Sequence, residues 1–328
     1  MREKVLLRTE ASTSAPINGS VEILRILGSW GIVWFHVHAF GMSLAYSGLP
    51  LFAVLMLAFV TRAPIETPAA MKQSIRRRVG RLLVPWVIWS VVYGVAKTLQ
   101  AVVLGTAITD EFSWWMIYTG TSIHLWFLPY AFLACTFASV VNAMLTQHRR
   151  RVAFGCMLVL LPLVSVASGI GVLECDLPIP FPQWLFVVPA SLVGICLGFQ
   201  AREQSAWTIS GVLLGLMAAL LLIWMAGLGS LVVPWGMGCL VAILGWTMPL
   251  QSTPTIAFIG KLAWPIYLVH PLIIPVVKSI LGQQVQAELL GGAAIIGSTL
   301  YASAHVWATQ YYQELKRIQA AKPASQTA

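Results

Sequence analysis

The chain has 328 residues, 58% hydrophobic and only 9% charged, with a mean hydropathy of +0.81 and a formal charge of +9. A soluble domain carries about 25% charged residues, so composition excludes a soluble globular protein. Five cysteines are scattered, four in apolar runs and Cys175 in a polar loop, which gives neither a disulfide framework nor a metal cluster.

The opening stretch MREKVLLRTEASTSAPINGS is polar, lacks the pattern of a cleavable signal, and reads as a cytosolic tail over residues 1–20. A membrane domain is expected over 21–312 and a second cytosolic tail over 313–328. Apolar runs predict spans near residues 23–44, 47–61, 82–104, 125–146, 152–172, 184–201, 207–227, 230–249, 254–277 and 288–311. Most match a hydrocarbon core of about 30 Å and none shows the alternation of barrel strands. The expected fold class is therefore all-α, a polytopic membrane protein of about ten helices. With the N-terminus cytosolic, all of the 20 Lys and Arg except Lys97, Lys261 and Lys278 fall on the inner side, and both termini are inside. The positive charge thus follows the membrane's inner face and is no footprint for nucleic acid. The segment 105–123, with Trp114 and Trp115, reads as an outer loop at the interface.

Four constellations carry chemistry. In LRILGSWGIVWFHVHAF, Arg25 precedes His36 by eleven residues, which is about three turns plus 20° and a rise of about 16 Å. Both therefore share one helix face, and an ionisable group inside a span marks a functional site. The bland alternative is a snorkelling arginine and a histidine bonded to a neighbouring helix. His38 points elsewhere and reads as a packing or interfacial residue. Next, SIRRRVGRLLVPW holds Arg76, Arg77, Arg78 and Arg81 ahead of the third span. Such a cluster is either a topology and lipid signal or a fork-shaped receptor for phosphate. Arg78 and Arg81, three apart, share a face if the helix already runs there. Third, IHLWFLPY places His124 and Trp126 at the outer entrance to the fourth span, where such residues are also common interfacial anchors. Fourth, GKLAWPIYLVHP puts Tyr267 and His270 on one face of a span broken by Pro265 and Pro271. No carboxylate falls clearly within an expected span, which argues against an ion-coupled transporter. Nucleophile-elbow, Walker and His-Glu-x-x-His patterns are missing.

In this order the four motifs resemble the acyltransferase 3 family of polytopic membrane acyltransferases. LRILGSWGIVWFHVHAF is similar to its Arg-x10-His first helix, RRRVGRLLVPWVIWS to its Arg-x-x-Arg stretch, and HLWFLPYAFLAC and GKLAWPIYLVHPLII to its later helices. The resemblance covers roughly residues 20–312. Two departures stand out: Met56-Leu57 where the family carries Ser-Gly, and Glu314 without the proline that often follows.

The resemblance implies acyl transfer, often acetyl, from cytosolic acyl-coenzyme A to a hydroxyl of an exopolysaccharide, lipopolysaccharide or lipid-linked glycan, in the bacterial cytoplasmic membrane. His36 would be the general base, since imidazole titrates near neutrality. Arg25 would orient the donor, with Arg77, Arg78 and Arg81 as donor-phosphate contacts and no metal. His124, Trp126, Tyr267 and His270 would line the acceptor side. The implied partners are acyl-coenzyme A, the glycan acceptor and membrane lipids, within a homo-oligomer or a glycan-assembly complex. Two rival readings are a flippase or exporter of lipid-linked sugars and a non-catalytic subunit of a polysaccharide-synthesis complex.

Overall fold

The computed structural model describes residues 18–63, 65, 67–203 and 206–321, without the side chains at 202–208, 320 and 321. Most of both expected tails, 1–17 and 322–328, lies outside the described residues. The fold is all-helical, 85% helix, with no strand among the described residues. In chain order the helices are α1 (Gly19–His36), α2 (Met42–Ala45), α3 (Gly48–Thr61), α4 (Pro68–Arg78), α5 (Val84–Leu104), α6 (Met116–Thr119), α7 (Phe127–Met144), α8 (Gln147–Leu173), α9 (Phe181–Glu203), α10 (Ala206–Met225), α11 (Val232–Thr247), α12 (Pro254–Leu281) and α13 (Ala287–Ala321). A π-turn, Val79–Leu83, joins α4 to α5.

Eight segments are long and apolar enough to cross a membrane: Met42–Thr61, Pro68–Leu104, Ile123–Met144, Gln147–Leu173, Phe181–Ala201, Gly229–Thr247, Pro254–Leu281 and Ala287–Gln319. The protein is a multi-pass membrane protein. Two of the ten expected spans fall outside that set. One is α1, whose 18 residues include Glu22 and Arg25. The other is the shorter apolar helix Ile209–Met225.

Four helices start at one end of the bundle with side-chain caps. Asn18, Thr67, Thr146 and Thr253 each accept from a backbone N–H of the first turn, satisfying donors that a helix leaves orphaned. Proline follows two of these caps, at Pro68 and Pro254, where its missing N–H costs nothing. The chain before α12 is sewn to the start of α1 at this end. Gly19 N donates to Leu250 O at 2.9 Å, Ser20 Oγ to Met248 O at 2.6 Å, and Asn18 Nδ2 to Gly245 O at 3.0 Å.

At the core, α3 packs against α1, α7, α9 and α11. Ala53, Val54, Leu57, Ala58 and Thr61 of α3 are fully buried. Its closest neighbour is α9, which presents Gly194 and Gly198, four residues apart. A Cβ at Gly194 would lie 2.5 Å from Val54 O, and one at Gly198 would lie 2.6 Å from Ala58 O. Hydrogen at both positions lets the backbones touch, which is how helices associate where lipid offers no hydrophobic drive.

The first expected span, 23–44, is interrupted. α1 stops at His36, because His38 takes a left-handed conformation (φ 56°) that a right-handed helix cannot absorb. His38 N donates to Phe35 O, and Trp34 Nε1 donates to Phe40 O at 2.9 Å, closing the turn. His38 is exposed and shapes this turn. His36 therefore lies at a helix end with an exposed face.

Candidate functional site

Arg25 and His36 share α1, as their spacing requires, with Arg25 toward the Asn18 end and His36 at the other terminus. Arg25 Nη1 donates to both carboxylate oxygens of Glu22, at 3.0 and 3.1 Å, one turn back on the same helix. Glu22 in turn lies against α12 at Gly260, where a Cβ would fall 1.7 Å from Glu22 Oε2. The glycine that opens GKLAWPIYLVHP therefore vacates the space that the carboxylate fills. Glu22 belongs to the site although the sequence reading passed over it. Its signal was the Glu-x-x-Arg step in VEILR, an i, i+3 pair.

Arg25 borders a chamber of about 390 Å³ in company with Arg81. Its walls come from α3 (Phe52, Met56, Phe59), α7 (Phe127, Ala131) and α12 (Ala263, Trp264, Tyr267). Two guanidinium groups at an otherwise apolar chamber suit a ligand with an anionic head and an apolar arm. Met56, which stands where the family carries serine, lines this chamber, whereas Leu57 is fully buried in the core.

Of Arg78 and Arg81, only Arg81 lines the chamber. Arg78 ends α4, and Arg81 lies within the π-turn that follows. Arg81 reaches the chamber, while Arg78 is half-buried beside the Cys135 thiol of α7 and does not line the chamber. Arg77 is exposed in the last turn of α4 and is also not among the lining residues.

Three imidazoles meet beyond the chamber. The rings of His36 and His270 are 5.0 Å apart between centroids, and those of His124 and His270 are 5.3 Å apart. A proline positions the central one. Pro271 has no N–H to give the carbonyl four residues back, Tyr267 O, and His270 Nδ1 donates to that oxygen instead, at 2.8 Å. This bond fixes the proton of the neutral ring on Nδ1 and leaves Nε2 as the basic nitrogen. The Nε2 atoms of His270 and His124 are both buried without a hydrogen-bond partner. His124 Nδ1 pairs with Ser122 Oγ at 2.8 Å, and Tyr93 of α5 meets the His124 ring edge-on at 4.9 Å. Tyr93 is itself pinned by donating to Leu268 O at 2.8 Å.

Tyr267 connects the two parts. Its ring lines the arginine chamber, its hydroxyl donates to His124 O, and its carbonyl holds His270. Of the residues expected on an acceptor side, His124, Tyr267 and His270 therefore meet. All three are buried, so they form an interior cluster and not an open wall. Trp126 packs against Phe127 and Tyr130 in the core, at 5.6 and 6.2 Å between centroids. His36 alone among the three histidines keeps an exposed face. No grouping of His, Cys, Asp and Glu suited to a metal ion occurs among the described residues.

No curated protein and no solved structure matches the chain in searches of both. The Acyl_transf_3 family model, described as an acyltransferase domain, matches residues 18–307, which include every residue of the chamber and of the histidine cluster. The chain belongs to the acyltransferase 3 family.

Proposed function

We propose that this membrane acyltransferase moves an acyl group, most simply acetyl, from acyl-coenzyme A to a hydroxyl of an exopolysaccharide, lipopolysaccharide or lipid-linked glycan, in the bacterial cytoplasmic membrane. The observation that carries the reading is the two-part site. Arg25 and Arg81 border a chamber toward one end of the bundle, three imidazoles gather beyond it, and Tyr267 belongs to both.

In this reading the Asn18 end and both termini face the cytosol, where the donor is found. The phosphates of coenzyme A pair with Arg25 and Arg81, and the pantetheine arm extends along α1 over a rise of about 16 Å toward His36. His36 takes the proton of the acceptor hydroxyl as that oxygen attacks the thioester carbonyl. The new C–O bond forms, the C–S bond breaks, and the proton returns to the departing thiolate, giving free coenzyme A. His270, with its proton held on Nδ1 by Tyr267 O, keeps the His36 ring oriented. Glu22 holds Arg25 for the donor.

The test is His36→Ala in membranes supplied with labelled acetyl-coenzyme A, alongside mass spectrometry of surface polysaccharide from wild-type and deletion cells. The expected loss of transfer is at least about two orders of magnitude, the usual worth of general-base catalysis, with normal membrane expression. A near-wild-type rate from the variant overturns the role of His36. A surface polysaccharide of unchanged mass in deletion cells overturns acyl transfer to it.

A further inference from the structure

The buried positions of His124, Tyr267 and His270 leave open where an acceptor would sit, and a separate pocket answers this. We infer that a pocket of about 250 Å³ beside His36, bordered by Phe35, Tyr46, Gln183 and Phe186, is the subsite for one sugar ring of the acceptor. The inference rests on the acyl-transfer reading above.

Its position comes first. The pocket lies where the turn after α1, the end of α8 (Val172, Leu173), the start of α9 (Pro182, Gln183) and the start of α11 converge, at the end of the bundle opposite Asn18. Phe35 forms part of the wall and is the residue before His36, with the two rings 5.4 Å apart. A ligand in this pocket is thus one side chain away from the histidine that keeps an exposed face.

Its chemistry comes second. Phe35 stacks on Tyr46 at 4.1 Å between centroids, and Tyr46 meets Phe186 in a tilted pair at 4.5 Å, making a row of three rings. The row is held from behind, because Trp235 Nε1 donates to Phe186 O at 2.7 Å. The ring edges that this row leaves uncovered offer a sugar's C–H bonds a rigid apolar wall at little entropic cost. One turn before Phe186 on α9, Gln183 Oε1 is buried without a hydrogen-bond partner. A buried acceptor left unmade costs about 1–3 kcal/mol, so it is best explained by a ligand hydroxyl that satisfies it. Ser43 and Ser230 place two further side-chain hydroxyls at the pocket. A lipid tail would leave Gln183 Oε1 without a partner. A pyranose, apolar on its ring faces and ringed by hydroxyls, matches both halves of the lining.

The test uses the full chain in lipid nanodiscs and saturation-transfer NMR with methyl glycosides of glucose, galactose, mannose and rhamnose as probes. Ring protons of at least one glycoside are expected to receive saturation. Gln183→Leu should weaken its binding about tenfold, the worth of one good buried hydrogen bond. Ser43→Trp, which fills the pocket from an exposed position on the short helix α2, should abolish the signal. Wild-type protein that saturates none of the glycosides overturns the inference, as does Gln183→Leu or Ser43→Trp that binds normally. Displacement of bound lipid by decanoate but by no glycoside assigns the pocket to acyl chains and also overturns it. Glycoside binding that responds to both variants, in membranes that never acetylate a glycan, leaves the sugar subsite standing and removes acyl transfer instead.

Discussion

Gly260→Ala tests the contact that links α12 to the donor arginine. A methyl group there would lie 1.7 Å from Glu22 Oε2, 2.6 Å from its Cδ and 2.7 Å from its Cβ. Rotating the carboxylate away relieves only the first two, so α1 and α12 must also part by several tenths of an ångström. Overpacking of this kind costs typically about 1–3 kcal/mol. The displaced carboxylate also releases Arg25. That ion pair has side chains 37% and 15% exposed, so solvent screening reduces its worth to about 1 kcal/mol. The total is about 2–4 kcal/mol of stability, together with an Arg25 that no longer points steadily into the chamber. Losing about 1 kcal/mol of donor orientation raises the apparent donor constant about fivefold. The assay is a thermal-unfolding series in nanodiscs beside an acetyl-coenzyme A titration of the transfer rate. Unchanged melting and an unchanged donor constant would refute the placement of Glu22 against Gly260. Lost stability with an unchanged donor constant would refute the claim that Glu22 holds Arg25 for the donor.

Three further outcomes are expected. Arg81→Ala should raise the apparent donor constant about ten- to a hundredfold, the worth of a charged hydrogen bond, with partial recovery in Arg81→Lys. Arg77→Ala, outside the chamber, should change that constant little, and equal effects from the two would return the cluster to a topology signal. In a background lacking the native cysteines, cysteines placed at Thr106 and Gln147 should be labelled from opposite sides of the membrane, the first outside and the second inside. Labelling from one side breaks the orientation on which the donor compartment depends. His38→Gly should match or exceed wild-type stability, whereas His38→Val should lose about 1–2 kcal/mol by forcing a branched side chain into the left-handed region. Equal unfolding midpoints for the two would show that the turn after α1 is not held as described.

What the sequence made legible followed from period and composition. Apolar runs marked each long helix, and the eleven-residue step from Arg25 to His36 placed both on α1 with no knowledge of their neighbours. The prolines of the Tyr-Leu-x-His-Pro run predicted a broken span, whereas α12 runs unbroken from Pro254 to Leu281 with Pro265 and Pro271 inside it. What it did not announce was that Pro271 frees the very carbonyl that His270 then occupies. Two kinds of feature stayed hidden. The π-turn that holds Arg81 adds a residue to a helical turn, which leaves no trace in residue spacing. The Glu22 contact depends on Gly260, and the aromatic pocket on residues from five helices and the turns between them; such meetings are products of packing and have no local pattern. Trp126 packs in the core and Arg77 is exposed and outside the chamber lining, placements that residue type alone does not fix.

The shallow seating of α5 has a practical consequence for handling the protein. Only 11% of the apolar window in Pro68–Leu104 is buried, and Val87, Ile88, Val91 and Val95 face outward. Yet this helix carries Tyr93, which braces both His124 and α12. Lateral pressure from surrounding lipid is therefore expected to help keep the histidine cluster assembled. Extraction into a short-chain, harsh detergent should peel α5 away before the α3–α9 core loosens, leaving a helical, monodisperse and inactive preparation. Returning such material to bilayer discs should restore turnover without refolding, and a well-behaved chromatographic peak would be a poor guide to which preparations are intact.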